Sequence, residues 1–389
     1  MNRTYTVGET LDFAGLVITA TYSDASSGTV TGYSTVPSNG ATLNTAGTQI
    51  VTISYTEDGV TKTTSLTVTV NNVQQPPEPT TYGAALTGAL AYLRTTVNAP
   101  SFGSVGGEWA ILALARGGYT NTDFYDAYYS GILAEIADKP AKLDTAKSTE
   151  NARLILALTA LGIDATSVGG KDLIAPLSDM VWLKTQGING PIFALLALDS
   201  KPYTASGTLR PDLVDYIISQ EANGGAGWSL SGKMATAEVD MTAMALQALA
   251  PYRSQAAVSA AITRAVSWLD SQTIDDAEGY AQIIVALSAL EIDTKSYVDA
   301  LLTYYNAATG GFFRSGSVDI MTGEQAAYAL VAYDRYKTGG NALYDMSDAV
   351  KLVTDNVAPA VADKTALNAK IVEAEALSSS GYTSASWNV

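Results

Sequence analysis

Six times between residues 106 and 336 the sequence returns to a stretch dense in Ala and Leu: 106–119, 148–164, 187–200, 236–252, 277–293 and 322–336. Aligned on Ala113, Ala157, Ala194, Ala245, Ala286 and Ala329, the stretches recur every 37 to 51 residues. A period of that size marks a repeat architecture, in which neighbouring units bury apolar faces that no single unit can bury alone. A more amphipathic helical pattern precedes each stretch, over 82–97, 122–138, 170–184, 209–220, 256–271 and 294–306, carrying Asp, Lys and Arg on one face. The unit is therefore a helix–turn–helix. One helix of each pair is apolar all round and demands burial on every side, while its partner has a face for water. A closed ring meets both demands, with six buried helices inside and six amphipathic helices outside. An open solenoid would need polar end caps, and no capping repeat is evident. The expectation for 82–340 is a closed (α/α)6 toroid, with the solenoid as the second choice.

The N-terminal stretch is of another kind. Residues 1–72 are rich in Thr, Val, Ser, Gly and Tyr, and period-two alternation runs through 16–22, 50–55 and 66–70. Such alternation predicts half-buried strands. Glu57-Asp58-Gly59 predicts a tight hairpin, because Asp-Gly tolerates positive φ. A small β-sandwich follows. Residues 73–81 form a Pro-rich linker stiffened towards an extended form. The fold class is thus multidomain, an all-β sandwich plus an all-α toroid. The segments GETLDFAGLVITATYSD, GATLNTAGTQIVTISYTEDG and TTSLTVTV closely resemble the bacterial immunoglobulin-like domains of secreted surface proteins. That resemblance implies a spacer or adhesive module rather than a catalyst.

Two absences narrow the chemistry. The 389 residues include no Cys and no His. Zinc sites on thiolate or imidazole, Ser-His-Asp triads, Cys nucleophiles, haem–His ligation and iron–sulfur clusters are all excluded. No metal and no cofactor is expected. A net charge of −16 argues against nucleic acid and against anionic membrane surfaces as partners. No apolar run approaches the roughly 18 residues of a transmembrane helix. Lack of Cys suits many secreted bacterial proteins, and a secreted or cell-wall location is expected, although no apolar signal segment follows Met1-Asn2-Arg3.

The helical repeats carry a second resemblance. QEANGGAGWSLSGKMATAEVDMTAMALQAL and NAATGGFFRSGSVDIMTGEQAAYALVAY resemble the repeats of squalene cyclases, prenyltransferase β subunits, transcobalamins and complement-like thioester domains. The resemblance spans 82–340 and implies the toroid. Its activities transfer poorly. The prenyltransferase zinc needs Asp, Cys and His, and the thioester needs a Cys–Gln crosslink. The cyclase Asp-x-Asp-Asp motif is matched by Glu238-Val239-Asp240-Met241, so the proton-donating position survives as Asp240 while Met241 replaces its partner. Transcobalamins hold their ligand against a β domain that follows the toroid; here the β domain precedes it. Residues from about 362 resemble the start of a small helical repeat of bacterial surface proteins. The segment 341–389 is accordingly expected to be a helical extension whose repeat continues past Val389.

Each apolar helix begins with a polar residue: Glu108, Glu150, Asn189, Glu238 with Asp240, Glu278 and Glu324. In a toroid these ends share one rim. Carboxylates gathered there would repel and raise one another's pKa, suiting one for general acid work. Paired carboxylates also serve glycoside hydrolysis. The competing reading is helix capping, which Ser148-Thr149-Glu150 and Thr236-Ala237-Glu238 fit. Asp240, inside an apolar helix where an unpaired carboxylate is unfavourable, is the strongest catalytic candidate, with Glu238. Trp109, Phe193, Tyr280 and Tyr328 offer stacking surfaces near the same rim, as do Trp228, Phe312 and Phe313, although core packing explains such spacing equally. Asp275-Asp276-Ala277-Glu278 reads as a calcium-competent or simply solvated acidic turn.

Two functional readings stand. In the first, the toroid of a longer cell-surface polypeptide binds a small molecule, glycan or surface protein without turning it over. In the second, a carboxylate enzyme works in the cavity, as a glycoside hydrolase or, less favoured, as a terpene cyclase-like acid using Asp240.

Overall fold

The computed structural model describes residues 3–71, 81–205, 207–222 and 224–359. The chain divides into two compact units, residues 1–79 and 80–389. Most of the 73–81 linker lies outside the described residues.

The first unit contains β1 (Thr4–Thr6), β2 (Ile18–Thr21), β3 (Ser27–Val30), β4 (Ser34–Val36), β5 (Gly47–Glu57) and β6 (Val60–Asn71). One sheet runs in the order β1-β6-β5-β4, and β2 pairs with β3 in a separate antiparallel hairpin. β1 lies parallel to β6; the other ladders are antiparallel. Alternation decides which face is buried: Val51 and Ile53 go inward from β5, while Ile50 stays exposed. Val51 packs with Tyr5, Leu11, Leu43, Val68 and Val70. The β5–β6 turn is a two-residue hairpin between Glu57 and Val60, with φ of 48° at Asp58 and 77° at Gly59. Positive φ at both positions matches the twist of the flanking strands.

The second unit is mainly helical. Its long helices are α1 (Tyr82–Thr96), α2 (Trp109–Arg116), α3 (Thr122–Ile136) and α4 (Ser148–Ala160). After the short α5 (Met180–Leu183) come α6 (Asn189–Asp199), α7 (Leu209–Ser219), α8 (Val239–Leu249) and α9 (Ala256–Asp270). The last are α10 (Ala277–Ala289), α11 (Lys295–Leu301) and α12 (Ile320–Thr338). A short antiparallel pair, β7 (Phe312–Arg314) and β8 (Ser317–Asp319), leads into α12.

One expected helix is broken. Residues 170–184 form a 3₁₀ turn at Ala175–Ser178 and then α5. The Asp172 carboxylate accepts from the N–H groups of Ile174 (2.9 Å) and Ala175 (3.1 Å), and Asp179 caps α5 at Trp182 N (3.0 Å). Two Asp caps around Pro176, which has no N–H to give, divide the segment.

The apolar helices pack in sequence: α2 on α4, α4 on α6, α6 on α8, α8 on α10, α10 on α12, and α12 back on α2. The six aligned alanines are all fully buried. Small residues permit the approach. A Cβ on Gly190 would stand 1.9 Å from the Leu183 carbonyl oxygen and 2.6 Å from Ser148 Oγ, so only glycine fits where α6 starts beside α4. The amphipathic helices lie against this set: α1 on α12 and α2, α7 on α6, α9 on α8, and α11 on α10. Trp228 ties two layers together. It is fully buried, its Nε1–H donates to the Ile217 carbonyl of α7 (2.7 Å), and its N–H donates to Thr242 Oγ1 of α8 (2.9 Å).

Residues 341–359 carry no helix, contrary to expectation. They run as a strap across the C-terminal ends of the apolar helices, and the remainder of the expected extension lies outside the described residues. Backbone polar groups, together with the buried side chains of Leu343, Met346, Leu352 and Val353, hold the strap. Arg116, at the end of α2, donates to the carbonyls of Ala342 (3.1 Å), Leu343 (3.1 Å) and Asp345 (2.8 Å) and pairs with Asp348 (2.6 Å). Met346 N–H donates to Ser200 O after α6, and Leu352 N–H to Leu161 O after α4. Thr354 then bonds Asp126 of α3.

Arg116→Met removes the strap's central clamp. It is expected to lower unfolding free energy by about 1–3 kcal/mol and to open 340–359 to limited proteolysis. An unchanged denaturation midpoint with unchanged cleavage would contradict this role.

Candidate functional site

A cavity of about 250 Å³ opens among the N-terminal halves of the apolar helices, and each of the six contributes to it. Residues one turn apart share the inward face. Thus α4 offers Thr149 and Arg153, α6 offers Asn189 and Phe193, α8 offers Met241 and Met244, and α12 offers Gln325 and Tyr328, with Trp109 from α2 and Gln282 from α10. Tyr344 of the strap borders this cavity and a second one of about 350 Å³ among the C-terminal ends, so it stands between them.

One wall is aromatic. The Trp109 ring lies 5.8 Å from Phe193 and 6.0 Å from Tyr328, tilted to both, and its Nε1–H donates to Ser104 Oγ (3.2 Å). Gln282 and Gln325 of the lining belong to a chain of amides that extends to Gln247, which borders the second cavity. Gln247 Nε2 donates to Gln282 Oε1 (2.9 Å), and Gln282 Nε2 donates to Gln325 Oε1 (2.9 Å) and to Tyr328 Oη (2.6 Å). Asn189 Oδ1 is buried and has no hydrogen-bond partner among the described residues.

The carboxylates are engaged with the protein. Glu108 is fully buried, accepts from Gly103 N–H and pairs with Arg153 Nε (2.9 Å), whose Nη2 pairs with Glu150 (2.5 Å). Burial pushes the Glu108 pKa up, and Arg153 and Gly103 pull against that rise. Glu324 is fully buried; Oε1 accepts from Gly106 N–H (2.8 Å) and Oε2 has no partner among the described residues. Burial lifts its pKa to about 8; Gly106 opposes this, and the charges of Glu108 and Asp319 add to it. Glu278 accepts from Thr322 Oγ1 (2.6 Å) and pairs with Arg314 (3.2 Å).

Neither expected capping box forms. Glu150 turns to Arg153, and Glu238 reaches back to Ser229 Oγ (3.0 Å) and Leu230 N–H (3.1 Å). Asp240 is not interior to its helix: α8 starts at Val239, so Asp240 stands exposed in the first turn. It has no hydrogen-bond or ion-pair partner among the described residues. Crowding by surrounding protein, followed by the charges of Asp276, Glu278 and Glu238, pushes it up to about 6. Its exposure lets salt screen that repulsion. Asp240 and Glu238 border a separate acidic recess with Asp275 and Asp276, not the aromatic cavity.

Other expected residues face elsewhere. Tyr280 points to the outer layer, donating to Ile274 O (3.0 Å) beside the rings of Tyr297 and Tyr304. Trp228 and Phe312 are wholly buried ties. Asp276 caps α10 at Gly279 N–H (2.6 Å), and no group of three or more acidic side chains among the described residues is placed to hold a metal ion. Arg153, Met241, Met244, Gln282, Gln325 and Tyr344 lie outside the set expected from sequence. Gln282, an amide inside an otherwise apolar helix, was the available signal for the polar part of the lining.

Residues 1–70 match the family model of the bacterial Ig-like domain (group 3), a kind of domain that occurs in bacterial surface proteins. No curated protein matches the chain. No helix among the described residues is long and apolar enough to cross a membrane.

Glu324 sets a pH dependence. Its pKa of about 8 lies above the ordinary 4.5, so the folded chain keeps a proton that the unfolded chain releases. Stability therefore falls as pH rises between those values. Glu324→Gln mimics the protonated acid, and denaturant titrations between about pH 5 and pH 8 should show it gaining on the parent by roughly 1 kcal/mol per pH unit. Parallel profiles would contradict a neutral buried Glu324.

Proposed function

We propose that this chain is part of a secreted bacterial cell-surface protein, with the Ig-like domain as spacer or adhesive module. We further propose that residues 82–340 form an (α/α)6 toroid that binds a small ligand in its central cavity without turning it over. The observation carrying this reading is the cavity itself, which receives a side chain from each of the six apolar helices. The cyclic order of helix neighbours, ending with α12 on α2, supports the toroid. Trp109, Phe193, Asn189 and Tyr328 would contact the ligand. Glu108, Glu150 and Glu324 would shape the site through Arg153 and the 103–106 loop, because their oxygens already hold those groups.

The second reading, a carboxylate enzyme, draws on one observation: Asp240 has no partner among the described residues and its pKa is raised to about 6. That value suits a general acid. Against it stands the separation of Asp240 from the aromatic cavity.

A thermal-shift screen of glycans, tetrapyrroles and polyprenoids tests the choice. A ligand at about 100 times its Kd adds about 2.7 kcal/mol of stability, a shift of several degrees. The expected hit loses its shift in Trp109→Ala and keeps it in the Glu238→Ala, Asp240→Ala double variant. A hit lost only in the double variant would favour the enzyme.

A further inference from the structure

The cavity's chemistry narrows its occupant. At about 250 Å³ it falls below the roughly 300–1,000 Å³ of pockets for drug-sized ligands. One ring fits that space; a tetrapyrrole or a polyprenoid chain does not. Among the described lining residues Arg153 alone is charged, and it is held between Glu108 and Glu150. No cation is left over to neutralise a phosphate or carboxylate.

The hydrogen-bonding pattern is directional. Because Gln247 donates to Gln282 and Gln282 donates onward, Gln325 Nε2 and the Tyr328 hydroxyl hydrogen remain as donors. Asn189 lines the cavity, and its buried Oδ1 has no partner among the described residues, which leaves it as an acceptor. A hydrocarbon would leave these groups unsatisfied. A hydroxyl both donates and accepts, so a ring carrying several hydroxyls answers donors and acceptor together. Trp109, less buried than Phe193 and Tyr328 and in contact with both, presents a flat surface for the ring's C–H face.

We infer that the central cavity takes a single neutral sugar ring, a hexopyranose free or at the end of a glycan, stacked on Trp109 and hydrogen-bonded by Asn189, Gln325 and Tyr328. This rests on the ligand-binding reading above.

The test titrates the full chain with methyl glycosides of glucose, galactose, mannose and N-acetylglucosamine, and separately with farnesol and inorganic phosphate. Binding is read by calorimetry and saturation-transfer NMR. At least one glycoside should bind at one site per chain. Asn189→Leu should weaken it about tenfold, the loss of one buried hydrogen bond, and Trp109→Ala at least as much. Trp109→Phe, which keeps a stacking face, should retain most affinity and covers the case in which Trp109→Ala fails to fold. An oligosaccharide ending in the same sugar separates the sources: equal binding means a glycan end enters, and weaker binding means the free sugar is taken. Sugar binding indifferent to Asn189 and Trp109 overturns the assignment. Farnesol or phosphate binding that depends on Trp109, with no sugar binding, overturns the sugar class and leaves the cavity reading standing. No binding by any probe overturns both.

Discussion

The contact between the first and last apolar helices governs the helical unit. Without α12 against α2, the five other interfaces would still stack, but the space among the helices would not be enclosed. Two specific groups make that contact. Glu324 of α12 accepts from Gly106 N–H just before α2, and Tyr328 lies against Trp109. Both join residues more than 200 positions apart in sequence. Such contacts repay their loop-closure entropy only once the intervening repeats are folded. In the proposed toroid, closure is therefore a consequence of the whole array, and the cavity a consequence of closure.

The acids at the helix starts illustrate how burial changes the meaning of a residue. A buried carboxylate must find donors or give up its charge. Glu108 finds Arg153 and Gly103; Glu324 finds one donor, and its pKa rises. What looks from sequence like a ring of free carboxylates is mostly a set of braces for backbone and arginine. On the proposed reading, the surface left to a ligand is aromatic and amide, supplied by Trp109, Phe193, Tyr328, Asn189, Gln282 and Gln325. The strap performs a complementary task at the other end, where Tyr344 stands between the two cavities.

Much of the helical unit was legible because its signals are local. Alanines recurring at Ala113, Ala157, Ala194, Ala245, Ala286 and Ala329 mark the buried helices, and the boundaries of α7, α9 and α10 follow from periodicity. The 170–184 helix misleads, since apolar spacing continues while Asp172, Pro176 and Asp179 redirect the backbone. Long-range partners were not legible. Nothing near Glu108 in sequence announces Arg153, 45 residues on, and nothing near Arg116 announces the carbonyls of 342–345. The strap has no periodicity to read, because backbone groups and irregularly spaced buried side chains hold it. Asp240 drew attention by its motif, yet the start of α8 places it in water.

The most direct test of closure uses the absence of cysteine from the chain. Tyr82→Cys and Tyr333→Cys together place thiols on α1 and α12 at positions whose rings now lie 5.0 Å apart, and leave the Trp109–Tyr328 contact in place. Treated with a short bifunctional maleimide, the folded double variant should form one intramolecular crosslink between the first and last repeats. Two separately blocked thiols, with no linked peptide by mass spectrometry, would mean that the helices form an open array and that the central cavity does not exist.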